Sequence, residues 1–340
     1  MNEGFQIIQL PPTDISELLP KDSSGIETTI SLTVSESIRV LKSAILALEH
    51  RPTVLIVDIF GTDAFELADE LGMLKYVHFS DAVLTDTRLG DQGRVCPSGR
   101  ASSSSCWAFK GEGSAISGDK NTCLDWLNEQ PSRSVIFVSF GSGGTLTAEQ
   151  ITELAWGLEK SQQRFLWVVR APAVKETFGT YFTSGSGGGK PSDYLPEGFL
   201  NRTVEVGLVV PSWCPQLEIL RHEYVGACLS HCGWNTTLEC IVNGVPLIAW
   251  PLFAEQRLNA SLLVEDIGVA VRPNIWSTKE LIGRTEIEKM IRTLMEKKDV
   301  ENPWRVRGME MKDSVLRALD QGGSSHKALL EVSKQWKATN

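Results

Sequence analysis

Six short runs rich in β-branched and aromatic residues recur between positions 134 and 273. In chain order they read SVIFVSF, FLWVV, GLVVP, GACLSH, PLIAW and VAVRP, and longer stretches separate them. Strands that alternate with helical segments are typical of βαβ units, whose strands lie parallel in one sheet. The alternation therefore predicts a doubly wound α/β domain over this part of the chain.

Amphipathic segments lie between and after these runs. TAEQITELAWGLEKS is predicted to be a helix with Thr147 as its N-cap, and Gln150 three residues later would complete a capping box. WNTTLECIVNG is predicted to be a second helix. Three more are expected after Arg284, at TEIEKMIRTLMEKK, RVRGMEMKDSVLRALDQ and SSHKALLEVSKQWKA.

A second α/β unit begins upstream and then stops. FQIIQL, TVLIVDIF and YVHF are predicted strands, and ISLTVSESIRVLKSAILALEH contains a helix. Positions 81–119 show neither the helical nor the strand period. A stretch of this length without either is unusual inside a compact domain, so we expect a disordered linker or a loss of material there. Positions 171–193 are predicted to be a flexible surface loop. They form no P-loop, because Pro191 follows Lys190.

The charge and the lengths of the apolar runs limit the possible partners. A net charge of −9 argues against nucleic acid and anionic membrane surfaces as partners. The runs VLIVDIF and VPLIAWPLF are too short to span a bilayer, and no N-terminal signal segment is visible. We therefore expect a cytoplasmic protein with no membrane span.

The cysteines indicate reduced thiols, because there are seven of them and no CxxC pair. Cys228, His231 and Cys232 could suggest a zinc site. On a strand, however, the two cysteines would point to one face and the histidine to the other, and no fourth ligand stands at a recognised spacing. We expect no metal here.

The stretch SFGSGGT, positions 139–145, lies between a predicted strand and a predicted helix. Glycines there allow backbone N–H groups to approach a phosphate closely. The stretch does not match G-x-G-x-x-G, which disfavours a nicotinamide-dependent oxidoreductase. A tight turn with no ligand explains the glycines equally well.

The stretch LSHCGWNTTLE, positions 229–239, is a stronger candidate for binding an anion. His231 stands at the end of a predicted strand, and Asn235, Thr236 and Thr237 stand at the start of a predicted helix. Free N–H groups and the positive end of the helix dipole favour an anion at that position. Open α/β sheets bind their ligands at this edge.

The 44 residues from Trp213 to Gln256 resemble the signature box of plant family-1 UDP-glycosyltransferases, including the hydroquinone and monolignol glucosyltransferases. The resemblance also covers CLDWLNEQPSRSVIFVSFGSGGTLT, VLIVDIFGTDAFELADELG and FQIIQLPPTDISELL. It implies an α/β fold of the glycosyltransferase-B type, with two Rossmann-like lobes. The donor would be UDP-glucose, with no cofactor and no metal.

The resemblance also implies a role for each residue of the UDP-sugar site. Trp213 would stack on uracil and Cys214 would contact the nucleotide through its backbone, while Gln216 and Glu239 would hold base and ribose. The diphosphate would be bound by Ser142, His231, Asn235 and Thr236. The sugar would be bound by Trp234, Glu255 and Gln256, and a glutamine at the last position implies glucose.

The resemblance implies a catalytic pair as well. In the family an aspartate orients the histidine that deprotonates the acceptor. Asp58 matches that aspartate, but its partner histidine has no counterpart, since His50 is expected at a helix end and His78 inside a later strand. The N-terminal lobe is therefore expected to be truncated at its start and internally deleted. The expected divisions are a partial acceptor lobe at 1–80, an irregular segment at 81–120, a UDP-sugar lobe at 121–318 and a C-terminal helix at 319–340.

Two functional hypotheses follow from the resemblance. The first is inverting, UDP-glucose-dependent O-glucosylation of a small phenolic acceptor. The second is a UDP-sugar-binding remnant that lacks the catalytic histidine and is inactive, or an incomplete version of an active enzyme.

Overall fold

The computed structural model of the protein describes residues 7–19, 26–78, 120–172, 190–274, 280–297 and 299–338. These residues form two compact units. The smaller contains the described residues up to 78 and those from 319 onward, and the larger contains those from 120 to 318.

The bounds of the regular elements are as follows. The strands are β1 (Val54–Val57), β2 (Leu74–Val77), β3 (Val135–Ser139), β4 (Arg164–Val169), β5 (Gly207–Pro211), β6 (Val225–Ser230), β7 (Leu247–Ala249) and β8 (Ala270–Val271). The α-helices are α1 (Ile26–Leu46), α2 (Phe65–Glu70), α3 (Lys120–Asn128), α4 (Ala148–Ser161), α5 (Phe199–Arg202), α6 (Gln216–Arg221), α7 (Trp234–Asn243), α8 (Gln256–Ser261), α9 (Arg284–Met295), α10 (Pro303–Leu319) and α11 (Ser324–Ala338). Short 3₁₀ helices cover Ile59–Ala64, Pro191–Asp193 and Asp299–Glu301, and a π-helical turn covers Leu262–Asp266.

The smaller unit contains the parallel pair β1 and β2, in which Val57 is the partner of Val77. The strand predicted at FQIIQL is wrong for residues 7–10, which have no regular structure. Ile7 is 85% exposed, and Pro11 and Pro12 follow, which lack the N–H groups that a strand ladder needs. The strand predicted at YVHF ends at Val77, so His78 follows β2 instead of lying inside it.

All six strands predicted in the larger unit are confirmed, and they form one parallel sheet in the order β5-β4-β3-β6-β7-β8. Alternate residues of each strand point to opposite faces. Ile136 and Val138 of β3 pack with α4 and α9 residues on one face, while Val135 and Phe137 pack on the other with residues of α6 and α7. Burial on both faces explains why these strands are apolar along their whole length.

The helices predicted in the larger unit and at the C-terminus are also confirmed, but the capping box is only half formed. The Thr147 hydroxyl accepts a hydrogen bond from the Gln150 N–H at 3.3 Å. The Gln150 side chain does not return to Thr147. Its amide group instead makes two hydrogen bonds of 2.9 Å with the backbone of Ile282. Because this glutamine is only 3% exposed, the paired backbone contact gives both the nitrogen and the oxygen of a buried amide a partner.

Two sequence predictions lie mainly outside the described residues: the irregular segment at 81–119 and positions 173–189 of the predicted loop. Within the part of the chain that the structure describes, no helix is both long and apolar enough to cross a membrane.

The contact between α4 and α9 gives a test of the packing. A Cβ on Gly157 of α4 would lie 2.5 Å from Cγ2 of Ile287 on α9. Replacing glycine by alanine in a helix normally stabilises it by roughly 1 kcal/mol. We expect Gly157→Ala to lower the free energy of unfolding instead, by about 1–3 kcal/mol, because the core is overpacked. Denaturant unfolding measures the change.

The double variant Gly157→Ala/Ile287→Ala is the control, since it removes Cγ2 of Ile287, the atom nearest the new methyl group. It should lose less free energy of unfolding than the two single variants lose together, as expected for two residues in contact. Additive losses would show that the two residues are not coupled.

Candidate functional site

The predicted UDP-sugar residues lie on segments that follow strands of the larger unit's sheet. Ser142 follows β3, Trp213 follows β5, His231 follows β6 and Glu255 follows β7. The carboxyl ends of parallel strands share one edge, so these segments meet at the same edge of the sheet. We call this region the carboxyl-edge site, formed by residues 139–145, 212–216, 231–239 and 252–256.

The imidazole of His231 lies between two glycines of this site. A Cβ on Gly141 would come within 2.5 Å of the ring atoms Cε1 and Nε2, and a Cβ on Gly233 within 2.5 Å of Nε2. Gly141 also has φ +74°, a conformation that side chains disfavour. The glycine at position 141 of SFGSGGT therefore lets the histidine ring lie close to the backbone. This is a more specific role than forming a tight turn.

The His231 imidazole is held neutral by its surroundings. Burial, and then the positive charge of Arg170, lower the pKa of His231 from 6.5 to about 4. Its buried Nδ1 has no hydrogen-bond partner among the described residues. An uncharged imidazole has one N–H donor and one acceptor nitrogen. The N–H can donate to an oxygen of an acceptor-rich ligand.

Helix α7 begins directly beside this ring. Its N-cap is Gly233, and no side chain caps the helix. The N–H groups of the first turn, at Trp234, Asn235 and Thr236, have no acceptor within the helix itself. Together with the helix dipole and the neighbouring glycine loop, they form a place where an anion is stabilised.

Gln216 connects three of these elements. Its Nε2 donates to the Thr236 hydroxyl at 3.0 Å and to Glu239 Oε2 at 2.7 Å. Its Oε1 accepts from the hydroxyl of Ser139 at 3.2 Å. Burial raises the pKa of Glu239, and the Gln216 bond and the charge of Arg221 partly offset that effect. The network fixes the Glu239 carboxylate at the edge of the site.

Trp213 and Cys214 point to different environments. Trp213 is 53% exposed, which is high for an indole and leaves its ring available for stacking. Cys214 is 5% exposed and packs in the core, where burial raises the pKa of its thiol. The backbone before them is unusual, since Ser212 has φ +62°. This turn separates an outward aromatic ring from an inward thiol.

Glu255 and Gln256 begin helix α8. The Oε1 of Gln256 accepts from the N–H groups of Leu252 at 2.9 Å and Phe253 at 3.1 Å, so it holds the turn before the helix. Only its amide nitrogen can then serve as a donor to a ligand. Glu255 is half-buried at the N-cap position of α8.

Sequence reasoning missed three residues that support the site. Asn259 is fully buried and donates through Nδ2 to the carbonyl of Cys232 at 3.0 Å. Ser139 bonds to Gln216, as described above. Arg170, directly after β4, contacts the carbonyls of Ser142 and Ser212. The position of Arg170 at a strand's carboxyl end was the available signal, but its partners are backbone atoms that no sequence pattern indicates.

Asp58, the predicted catalytic aspartate, lies in the smaller unit at the end of β1. Its Oδ1 accepts from the N–H groups of Phe60 at 2.9 Å and Gly61 at 3.0 Å, so it caps the 3₁₀ helix that follows. The N–H of His78 donates to the carbonyl of Val57 at 2.6 Å. Because β1 and β2 are in register, Asp58 and His78 occupy adjacent positions at one edge of this sheet.

Among the described residues, no group of three or more His, Cys, Asp or Glu side chains is arranged to hold a metal ion. Cys228 and Cys232 are buried in the same core cluster as Cys214. Burial raises the pKa of Cys232 to about 12, so this thiol stays protonated.

The neutral state of His231 gives a test by pH. The unfolded chain takes up the proton first as the pH falls, since its imidazole has the higher pKa. The contribution of His231 to the free energy of unfolding is therefore complete above about pH 6.5 and is lost toward pH 4, by up to about 2 kcal/mol between pH 7 and pH 5. NMR titration, with His231→Asn to assign the signal, should show a neutral ring down to about pH 5. A midpoint near 6.5 would contradict the buried geometry.

Residues 108–320, more than half of the chain, match the family described as "UDP-glucoronosyl and UDP-glucosyl transferase". The chain is 39% identical to anthocyanidin 3-O-glucosyltransferase 5 of Manihot esculenta, over 97% of this chain and 83% of that protein. It is 36% identical to the hydroquinone glucosyltransferase of Rauvolfia serpentina, over 98% of this chain and 86% of that protein.

The fold is also similar to solved structures. The structure of Phytolacca americana UGT2 complexed with UDP-2fluoro-glucose and pterostilbene superposes with a TM-score of 0.76, at 33% identity, over 97% of this chain and 86% of that one. These neighbours have the glycosyltransferase-B fold, as the resemblance implied. The chain belongs to the plant family of UDP-glycosyltransferases.

Proposed function

We propose that the carboxyl-edge site binds UDP-glucose and that the protein transfers the glucose to a small phenolic acceptor with inversion at the anomeric carbon. One observation carries the proposal. The neutral His231 ring, the glycine loop and the uncapped start of α7 converge on one place, where a diphosphate would be stabilised.

The remaining predicted residues are given roles that fit their contacts. Trp213, with its exposed ring, would stack on uracil. Glu239, fixed by Gln216, would accept hydrogen bonds from the ribose hydroxyls. Ser142, Asn235 and Thr236 would bind the diphosphate beside His231. In the sugar pocket we place Trp234 and Glu255 together with the amide nitrogen of Gln256.

In the proposed reaction, the acceptor oxygen forms a bond to the anomeric carbon of glucose while the bond from that carbon to UDP breaks. The acceptor loses its proton to a base, and UDP leaves with the electron pair. The N–H groups at the start of α7 would stabilise the charge that develops on the diphosphate. We propose that this reaction uses no metal, so that EDTA leaves the rate of glucoside formation unchanged.

Two observations on relatives support a phenolic acceptor. One relative is a hydroquinone glucosyltransferase, and the Phytolacca structure contains pterostilbene, which is a phenol. A phenolic hydroxyl has a pKa of about 10, far below that of an alcohol, so it needs a weaker base.

A second candidate function is UDP-sugar binding without transfer. Asp58 uses Oδ1 to cap the 3₁₀ helix, and the family's partner histidine has no counterpart in this sequence. Absence of a general base typically costs about 10²–10⁴-fold in rate.

Nucleotide binding is tested by calorimetric titration of the purified chain with UDP. We expect saturable binding, and Trp213→Ala should weaken it by about 1–3 kcal/mol, the usual range for an aromatic ring stacked on a base. Trp213→Phe, which keeps an aromatic face, should retain most of the affinity. Equal affinities for the wild type and Trp213→Ala would remove this residue from the uracil pocket.

Transfer is tested by incubating the chain with UDP-glucose and hydroquinone and detecting the glucoside by mass spectrometry and NMR. We expect a slowly formed β-glucoside. A reaction without hydroquinone controls for hydrolysis of the donor. UDP binding with no glucoside from the wild type would establish the binding-only alternative.

A further inference from the structure

Arg170 follows β4, the strand that lies between β3 and β5 in the sheet. Trp167 of β4 is in register with Val138 of β3, and Val169 is in register with Pro211 of β5. A side chain just beyond the end of β4 can therefore reach the segments that follow both neighbours. Those two segments carry Ser142 and Trp213.

The contacts of Arg170 use this central position. One terminal nitrogen of its guanidinium donates to the carbonyl of Ser142, and the other donates to the carbonyl of Ser212 at 3.1 Å. The next residue adds a third link, because the Thr145 hydroxyl donates to the carbonyl of Ala171 at 2.7 Å. The end of β4 is thus attached both to the glycine loop and to the turn before Trp213.

The backbone conformation of both attached segments depends on contacts with residues outside them. Ser142 is exposed and lies among glycines, whose backbone is the most flexible. Ser212 is held at φ +62°, a left-handed conformation that a serine rarely adopts. A hydrogen bond from a charged group is among the stronger ones available to a carbonyl. The two Arg170 bonds therefore restrict the two segments that would contact the ends of UDP.

Arginine suits this position better than lysine. The guanidinium is planar, carries its N–H groups in a fixed fork and stays charged, so it can bond two carbonyls at once. It is half-buried, and burial lowers its pKa from 12.5. Its charge also contributes to the low pKa of His231.

We propose that Arg170 is a positioning residue of the UDP site, which joins the glycine loop after β3 to the turn after β5 and so sets the distance between the diphosphate and uracil subsites. This role rests on the proposed function, and Arg170 itself need not contact the nucleotide. It acts through Ser142 and Ser212.

The test compares Arg170→Met, Arg170→Lys and Arg164→Met. Arg164 is the control, since it begins the same strand and its guanidinium bonds to Gln130 at 2.9 Å, away from the carboxyl edge. We expect Arg170→Met to weaken UDP binding by about tenfold or more, as for the loss of hydrogen bonds from a charged donor. Arg164→Met should bind as the wild type does. Arg170→Lys should recover part of the affinity, because one ammonium reaches one carbonyl at a time.

Two readouts do not depend on UDP. Amide hydrogen exchange at residues 141–145 and 212–214 should accelerate in Arg170→Met and remain unchanged in Arg164→Met. The pKa of His231, followed by NMR, should rise in Arg170→Met and stay low in Arg170→Lys, which a purely structural role would not produce. The inference would be overturned if Arg170→Met is folded, exchanges its amides at both segments as the wild type does, and binds UDP within twofold of the wild-type affinity. If the wild type itself does not bind UDP, the proposed function fails, and unchanged exchange would then separately reject the positioning role.

Discussion

The parallel arrangement of six strands in one sheet is the constraint on which the rest of the larger unit depends. Parallel strands need crossover connections, and the helices of these connections cover both faces of the sheet. The same arrangement brings all strand carboxyl ends to one edge. Residues distant in sequence, such as Ser142 and Glu255, are therefore carried by segments that leave the sheet at that same edge.

At that edge the protein organises polar groups through a few buried contacts. Gln216 ties Ser139, Thr236 and Glu239 together, and Asn259 supports the turn at Cys232. Amide side chains suit this role because one group can donate and accept hydrogen bonds at the same time. The start of α7 has no side-chain cap, and Nδ1 of His231 has no hydrogen-bond partner among the described residues. Rigid support and unsatisfied groups thus occur side by side.

Much of this could be predicted from the sequence, because the strands and helices of the larger unit have strong periodic patterns. The six strands and the helix at WNTTLECIVNG follow from local pattern alone. The errors have identifiable causes. FQIIQL has the composition of a strand, but its described residues have no strand partner. Gln150 completes a capping motif in sequence, but its amide bonds to Ile282, which is 132 residues away. Long-range backbone contacts, such as those of Arg170, leave no sequence pattern, so the support of the site could not be predicted.

The position of His231 between two glycines has a further consequence. The ring is fixed by shape, since Gly141 and Gly233 leave room for an imidazole and no room for a methyl group beside it. Histidines at functional sites usually have one nitrogen bonded to a carboxylate or carbonyl, and that bond decides which nitrogen carries the hydrogen. Here Nδ1 has no such partner among the described residues. In the proposed function the diphosphate that binds beside the ring would therefore set its tautomer, while the protein sets only its orientation.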